Sequence, residues 1–221
     1  MTIAESVTFS VELRERSRTM HEDAEGSSFT SALLAGELDR AGYASLVAQE
    51  WFIYVTLETV GAGLADDPIA GPFLDPRLTR LAGLEADLAF LIGADWKSRV
   101  TALPATAHYA ARLREVGASW PAGYVAHHYT RFLGDLSGGQ IIAAKLRKQF
   151  GFGRGEGTLS YAFPGVTSPK SVKDEYRAKL DALPLAPDER ASMIDEVLHA
   201  YRLNTALFAD LARAAGLPVQ P

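Results

Sequence analysis

The sequence predicts an all-α chain on three observations. Apolar residues recur at helical spacing along most of its length, no stretch alternates polar and apolar between hairpin turns, and proline heads several of the periodic segments. No internal repeat is visible. With 221 residues and 48% hydrophobic composition, the chain fits one domain over 1–221, with residues 1–9 and 216–221 expected as flexible ends. Its formal net charge of -5 provides no overall positive field for nucleic acid or an anionic membrane. The chain has no cysteine, which rules out disulfides, iron–sulfur clusters and thiolate ligation and leaves histidine as the metal donor to look for. No apolar run approaches the roughly 18 residues of a membrane span, because Glu50 and Glu58 close the WFIYVTL block. The N-terminus lacks a basic region followed by an apolar one, so the expected location is cytoplasmic.

Taken in order, the first helix is expected to start with Ser10 as cap and to run through VELRERSRTMHEDAE to Gly26. Val11, Arg14, Arg18 and His21 share one of its faces, and Glu25 lies four residues beyond His21, where its carboxylate can accept the Nδ1 proton and turn Nε2 outward. A long helix follows from Asp39, apolar on nearly every side and so buried, with Tyr54 as its polar tip. ADDPIAGPFLDP reads as a connection, and RLTRLAGLEADLAFLIG as an amphipathic helix with a structural role. A link containing Trp96 leads to a helix over TAHYAARLREVG, and Pro121 opens the next. His127 and His128 point about 100° apart on a helix and cannot both serve one metal. Lys145, Arg147 and Lys148 complement that helix's C-terminal dipole ahead of Gly151. Residues 151–167 are irregular, Ser168 and Pro169 cap a helix carrying Lys173 and Arg177, and Pro187 opens the last. Asn204 interrupts the apolar side of that helix and is expected to clip it to a neighbour. Glu196 and His199 fit half of a di-iron pattern, but the second half is absent.

The informative stretch is Tyr129 to Phe150, YTRFLGDLSGGQIIAAKLRKQF, which has three glycines, Gly134, Gly138 and Gly139, inside a helical pattern. Each costs roughly 1 kcal/mol against alanine in a helix interior. Gly134 and Gly138 are four apart, so one face of the helix is bare backbone. Arg131 and Asp135 are also four apart, on a neighbouring stripe. The glycines admit a second helix on one reading and a planar ligand such as a porphyrin on another. LSGGQ is also the signature pentapeptide of ABC-transporter ATPases, but the GxxxxGK[ST] loop that reading requires is missing.

HHYTRFLGDLSGGQ, together with HEDAE, resembles the distal-helix and proximal-ligand signatures of the haem oxygenases, in particular the soluble bacterial ones. WFIY, KDEYRAKL and YRLNTALFADL follow the family's order, and the likeness covers nearly the whole chain. It implies an all-α, multi-helix bundle that holds haem between a proximal helix and a distal helix kinked at its glycines. It also implies roles for particular residues. His21 is the axial ligand of the haem iron and Glu25 its orienting carboxylate. Arg14, Tyr129, Lys173 and Arg177 hold the propionates, with arginine at position 14 in place of the family's frequent lysine. Gly134, Gly138, Gly139 and Ser137 lie against the ring, and Asp135, Arg131 and Tyr54 order distal water, with Arg131 placed to pair with Asp135.

The resemblance implies that haem, as substrate and cofactor, is opened to biliverdin with release of carbon monoxide and ferrous iron. The reaction uses O2 and an external electron donor, a reductase or a ferredoxin- or flavodoxin-type protein. The basic residues near Lys145 are a candidate docking surface for that donor. A neutral histidine gives less electron push than a thiolate, and glycine backbone offers no side-chain acid, so oxygen is directed to the ring. The chain ends at LPVQP without the hydrophobic tail of the animal enzymes, so no membrane anchor is expected. Two other classes compete: a non-catalytic haem carrier or sensor of the same fold, and a haem-free relative of the thiamin-degrading type, which needs a nucleophilic cysteine that is absent here.

Overall fold

Capping side chains and prolines set where the helices begin in the computed structural model, which describes residues 7–219, with main chain only at Glu25. The described residues contain α-helices and short 3-10 turns and no strand. Helix α1 (Phe9–Glu25) starts behind Thr8. Ser10, expected as its cap, instead gives its N–H and Oγ to the Asp181 carboxylate at 2.7 and 3.1 Å. This ties α1 to the end of α7 (Pro169–Asp181). Phe9, which sequence reading left in a flexible end, is helical and 2% exposed; residues 1–6 and 220–221 lie outside the described residues. At the other end Pro218 accepts a hydrogen bond from Ser28 at 2.7 Å.

Sequence reading missed α2 (Ser28–Ala35), which Ser27 caps and Gly36 ends with φ of 81°. Eight residues are too few to display a helical period. Asp39 caps the buried α3 (Arg40–Gly63) by accepting from the Gly42 N–H at 2.9 Å. The connection that follows holds 3-10 turns at Gly71–Phe73 and Pro76–Leu78. Helix α4 (Leu81–Ile92) begins later than its sequence pattern suggested. The Glu58 carboxylate fixes that start by accepting from the N–H groups of Arg80 and Leu81 at 2.7 and 3.0 Å.

Prolines open α5 (Pro104–Ser119), α6 (Pro121–Phe150) and α8 (Pro187–Ala214). Helical bonding runs unbroken through the glycines of α6, which Gly151 ends in the left-handed region with φ of 67°. Ser168 caps α7 by accepting from Ser171 at 3.2 Å. The irregular 151–167 segment is held down rather than free. Tyr43 donates to the Gly157 carbonyl at 2.7 Å, and Asp87 accepts from the N–H groups of Leu159 and Ser160 at 2.7 and 2.8 Å. Gly83 lets α4 approach it closely, since a Cβ there would lie 2.7 Å from the Leu159 carbonyl oxygen.

Helix α3 packs on α4 and α5, while α8 runs against α1, α2, α5 and α6. Helices α1 and α6 both rest on α7 and α8. This arrangement leaves a slot between them, lined by residues of both.

Both histidines of the HHY run anchor α6. His127 Nε2 meets Glu196 Oε1 at 2.8 Å, and Arg112 forks onto the same carboxylate at 2.9 and 2.7 Å. Glu196 is therefore engaged in an ion pair, and no metal-binding cluster occurs among the described residues. His128 Nδ1 and the Tyr176 hydroxyl are hydrogen-bonded at 2.9 Å, and burial pushes the Tyr176 pKa well up, so the phenol keeps its proton.

Burial, with a smaller push from Lys179 and against the pull of Asp75, holds the His128 pKa down to about 3 from an ordinary 6.5. The folded state thus disfavours protonation, so the stability this site contributes is present above pH 6.5 and drains away as pH falls toward 3. The urea midpoint is accordingly expected to fall between about pH 7 and about pH 5, and His128→Gln is expected to flatten that slope.

Candidate functional site

The slot begins with the α6 glycines. A Cβ built on Gly134 would meet nothing within 4 Å, and one on Gly138 would meet only Ile142 Cδ1 at 3.9 Å. A helix-packing glycine would show a neighbouring backbone at that distance, so here the bare face borders open space. Gly139 differs: its Cβ would lie 3.0 Å from Tyr161 Cδ1, and it makes room for that ring.

His21 and Ala24 of α1 line the same chamber as the glycines, together with Tyr201, Asn204 and Phe208 of α8. This inner chamber and an outer one enclose about 960 and 890 Å³ of atom-free space, including solvent-facing volume. His21, Gly134 and Tyr201 line both chambers, so the two adjoin along these residues. The His21 ring is half-buried and meets Tyr201 edge-on at 5.8 Å. The Glu25 side chain, expected to orient His21, lies outside the described residues.

The outer chamber gathers Arg14, Tyr129, Ser137, Lys173 and Arg177, which sequence distance separates widely. Three helices supply them. Arg14 pairs with Glu15 at 3.0 Å and Arg177 with Asp174 at 2.9 Å, both solvent-exposed. Lys173 Nζ lies 3.3 Å from Ser137 Oγ. Exposed pairs of this kind are worth about 0–1 kcal/mol, so an anion entering the chamber can recruit these cations at little cost. Tyr129 is buried, which raises its phenol pKa, while Ser17, Arg177 and Arg14 draw it back down.

On the α6 side of the inner chamber the polar groups fall into two ion pairs. Asp135 Oδ2 accepts from the Tyr54 hydroxyl and from Arg80 Nη1, and Arg80 Nη1 also lies 3.0 Å from the Tyr54 oxygen. Arg131, expected to pair with Asp135, instead donates to Glu50 and, at 2.7 Å, to Asn204 Oδ1. The Arg-before-Asp order on a helix is the weaker one, and partners on α3 and α8 win. Asn204 does clip α8 to α6, as its position on an apolar face suggested. Between the two pairs stands the Tyr54 ring, with the Arg80 and Arg131 guanidinium carbons 4.6 and 5.0 Å from its centroid. Tyr54 is fully buried, and its pKa is raised chiefly by desolvation, so it acts as a donor. Burial alone also pulls the Arg131 pKa down.

Sequence reading missed Arg80, Glu50 and Glu58. Arg80 was assigned to a structural helix, yet the structure brings it to Asp135. The available signal was a cation at the head of a helix, where the macrodipole disfavours it.

Residues 7–210 match the family model described as "Heme oxygenase". The chain belongs to the haem oxygenase family. It is 36% identical over 201 residues to "Heme oxygenase 1" of Rattus norvegicus, covering 90% of this chain and 70% of that one. It is 34% identical over 206 residues to "Heme oxygenase 1" of Synechocystis sp., covering 93% and 85%. The crystal structure of the Synechocystis heme oxygenase-1 in complex with heme superposes with a TM-score of 0.88 at 34% identity, over 95% of this chain and 96% of that one. Heme oxygenase-2 of the same genus, in complex with heme and NO, gives 0.90 at 30%, over 94% and 86%. The all-α bundle is thus that of the haem oxygenases, and the chain is a haem-degrading oxidoreductase of that family. No helix among the described residues is long and apolar enough to cross a membrane.

The open space at Gly134 separates stability from binding. Gly134→Ala is expected to raise folding stability by roughly 0.5–1 kcal/mol, as helix propensity dictates. The same variant is expected to bind haemin more weakly than the parent. Urea unfolding and haemin titration of the two proteins check the opposite signs; a Gly134→Ala variant that binds haemin at least as tightly as the parent sinks the ring-contact role.

Proposed function

We propose that the slot holds haem, whose iron His21 would ligate, and that this chain opens it to biliverdin, using O2 and electrons from an external donor. The observation that carries this reading is the bare face of Gly134 and Gly138 in the chamber that His21 also lines, with a fixed carboxylate, Asp135, on the next stripe. Haem when bound supplies both the iron at which dioxygen is activated and the ring that is opened. His21 would contribute an imidazole nitrogen from the α1 side. Tyr129, Arg14, Lys173 and Arg177 would hold the propionates at the open end, and Ser137 stands beside them. Gly134 and Gly138 would let main chain approach the ring, and they place no side chain of their own against it. Gly139 acts one step removed, by seating Tyr161.

Asp135 has Oδ2 occupied by Tyr54 and Arg80, which leaves Oδ1 to accept from water and order it toward the slot. Arg131 borders the same space with Glu50 and Asn204. A fixed carboxylate poised to order water is idle in a carrier or sensor, so this arrangement favours turnover. The basic face of α6 near Lys145 and Lys148 is the proposed docking surface for an acidic reductase or ferredoxin-type donor; Arg147, grouped with them by sequence, turns back to Thr158 at 3.2 Å. The proposed location is cytoplasmic.

Purified protein given haemin and a reductant in air is expected to lose its Soret band as a biliverdin band grows. His21→Ala is expected to lose the native haem spectrum and turnover together. Asp135→Ala is expected to keep haem and lose biliverdin yield by about tenfold or more. An unchanged yield from Asp135→Ala removes the water-ordering role, and an unchanged spectrum from His21→Ala moves the ligand elsewhere.

A further inference from the structure

We propose that Arg80 is a positioning residue of the reaction, a two-armed clamp that holds the Asp135 carboxylate in one orientation and in register with the segment beneath the glycines. The inference rests on the haem-binding reading above. One arm, Nη1, reaches Asp135 Oδ2 and the Tyr54 hydroxyl; the other, Nε, donates to the Ser160 carbonyl at 2.8 Å. The guanidinium lies between two aromatic faces, 4.6 Å from the Tyr54 centroid and 5.3 Å from that of Tyr161. Its side chain is 2% exposed. Glu58 fixes the main chain from which it springs, accepting from the Arg80 N–H at 2.7 Å.

A cation that only balanced Asp135 would need one donor. Arg80 has donors at both edges of a plane held by two rings, and the Ser160 carbonyl is next to Tyr161, whose ring seats Gly139. Asp135 and Gly139 are thus referenced to one rigid group, four residues apart on α6. An arginine fork presents donors from both ends of one rigid plane, whereas an ammonium presents all of its donors from a single nitrogen. The charged and titratable groups around Asp135 are Tyr54 of α3, Arg80 ahead of α4, Tyr109 of α5, Tyr161 and, one turn back, Arg131 with its partner Glu50.

Two variants test the clamp on the full chain loaded with haemin. Arg80→Gln removes the charge, and Arg80→Lys keeps the charge but loses the fork. Two quantities are read: the acid–alkaline transition of the ferric haem spectrum, and the biliverdin formed per electron consumed. Without the guanidinium charge the Asp135 carboxylate opposes added negative charge in the slot. The transition of Arg80→Gln is therefore expected to move up by roughly one pH unit. In Arg80→Lys it is expected to stay near the parent value, while biliverdin per electron falls about tenfold in both variants. Wild-type coupling in Arg80→Lys overturns the proposal, because charge alone then suffices. If Arg80→Gln does not fold, Arg80→Lys still decides by its coupling. A parent protein that fails to take up haemin overturns the functional reading itself, whereas a parent that turns over with Arg80→Lys unimpaired overturns only the clamp.

Discussion

A thirty-residue helix can keep one face bare only if its other faces are tied, and the rest of this structure depends on how α6 is tied. His127 bonds to Glu196 and Arg131 to Asn204, both on α8. On the α7 side His128 holds Tyr176, and on the α3 side the Tyr124 hydroxyl donates to the Leu57 carbonyl at 3.1 Å. Asp135 and Gln140 reach Arg80 and the Tyr161 carbonyl. These ties leave a built Cβ on Gly134 with nothing within 4 Å and one on Gly138 with only Ile142 Cδ1. The opening is therefore a property of the assembled bundle, maintained by partners far along the chain, and the glycines alone do not create it.

Burying charges this close to an open slot has a cost that the arrangement must offset. Removing a carboxylate or guanidinium from water carries a penalty of several kcal/mol per ion, and a buried pair seldom repays it better than apolar packing would. Here two such pairs, Arg80 with Asp135 and Arg131 with Glu50, flank a single tyrosine ring. Stability is a weak reason to retain them. Fixed orientation is a stronger one, because dipoles and charges that are already aligned need no reorganisation when chemistry begins. Both guanidiniums lie close to the Tyr54 ring, yet each acid keeps its own partner, Asp135 with Arg80 and Glu50 with Arg131.

What could be read from the sequence divides along a physical line. His21, the glycines and Asp135 stood out through helical spacing or through residues too costly for a helix interior to be accidental, whereas Arg14, Lys173 and Arg177 were singled out only by the family resemblance; all of them line the slot. Asn204 was legible as a polar break in an apolar face. The partner of Asp135 was not, since Arg80 and Asp135 lie 55 residues apart and no period or cap links them. The same reason hides Glu50 behind Arg131 and Asp181 behind Ser10. Helix α2 escaped notice through brevity. Local chemistry thus announces which groups matter, while the question of whom they touch is settled by packing between distant helices.

The glycines also say something about energetics that no contact inventory would. Gly139 recovers its conformational cost by letting the Tyr161 ring approach, but Gly134 and Gly138 recover nothing from the protein. Together they forgo roughly 2 kcal/mol of helix stability. A ligand that binds only the folded state at a hundred times its dissociation constant returns about 2.7 kcal/mol. The two magnitudes are comparable, so the helix is built to be completed by what fills the slot. Filling either glycine with a methyl group would mend the helix and, on the proposed haem-binding reading, occupy the space the ring needs, so that propensity and function pull these two positions in opposite directions.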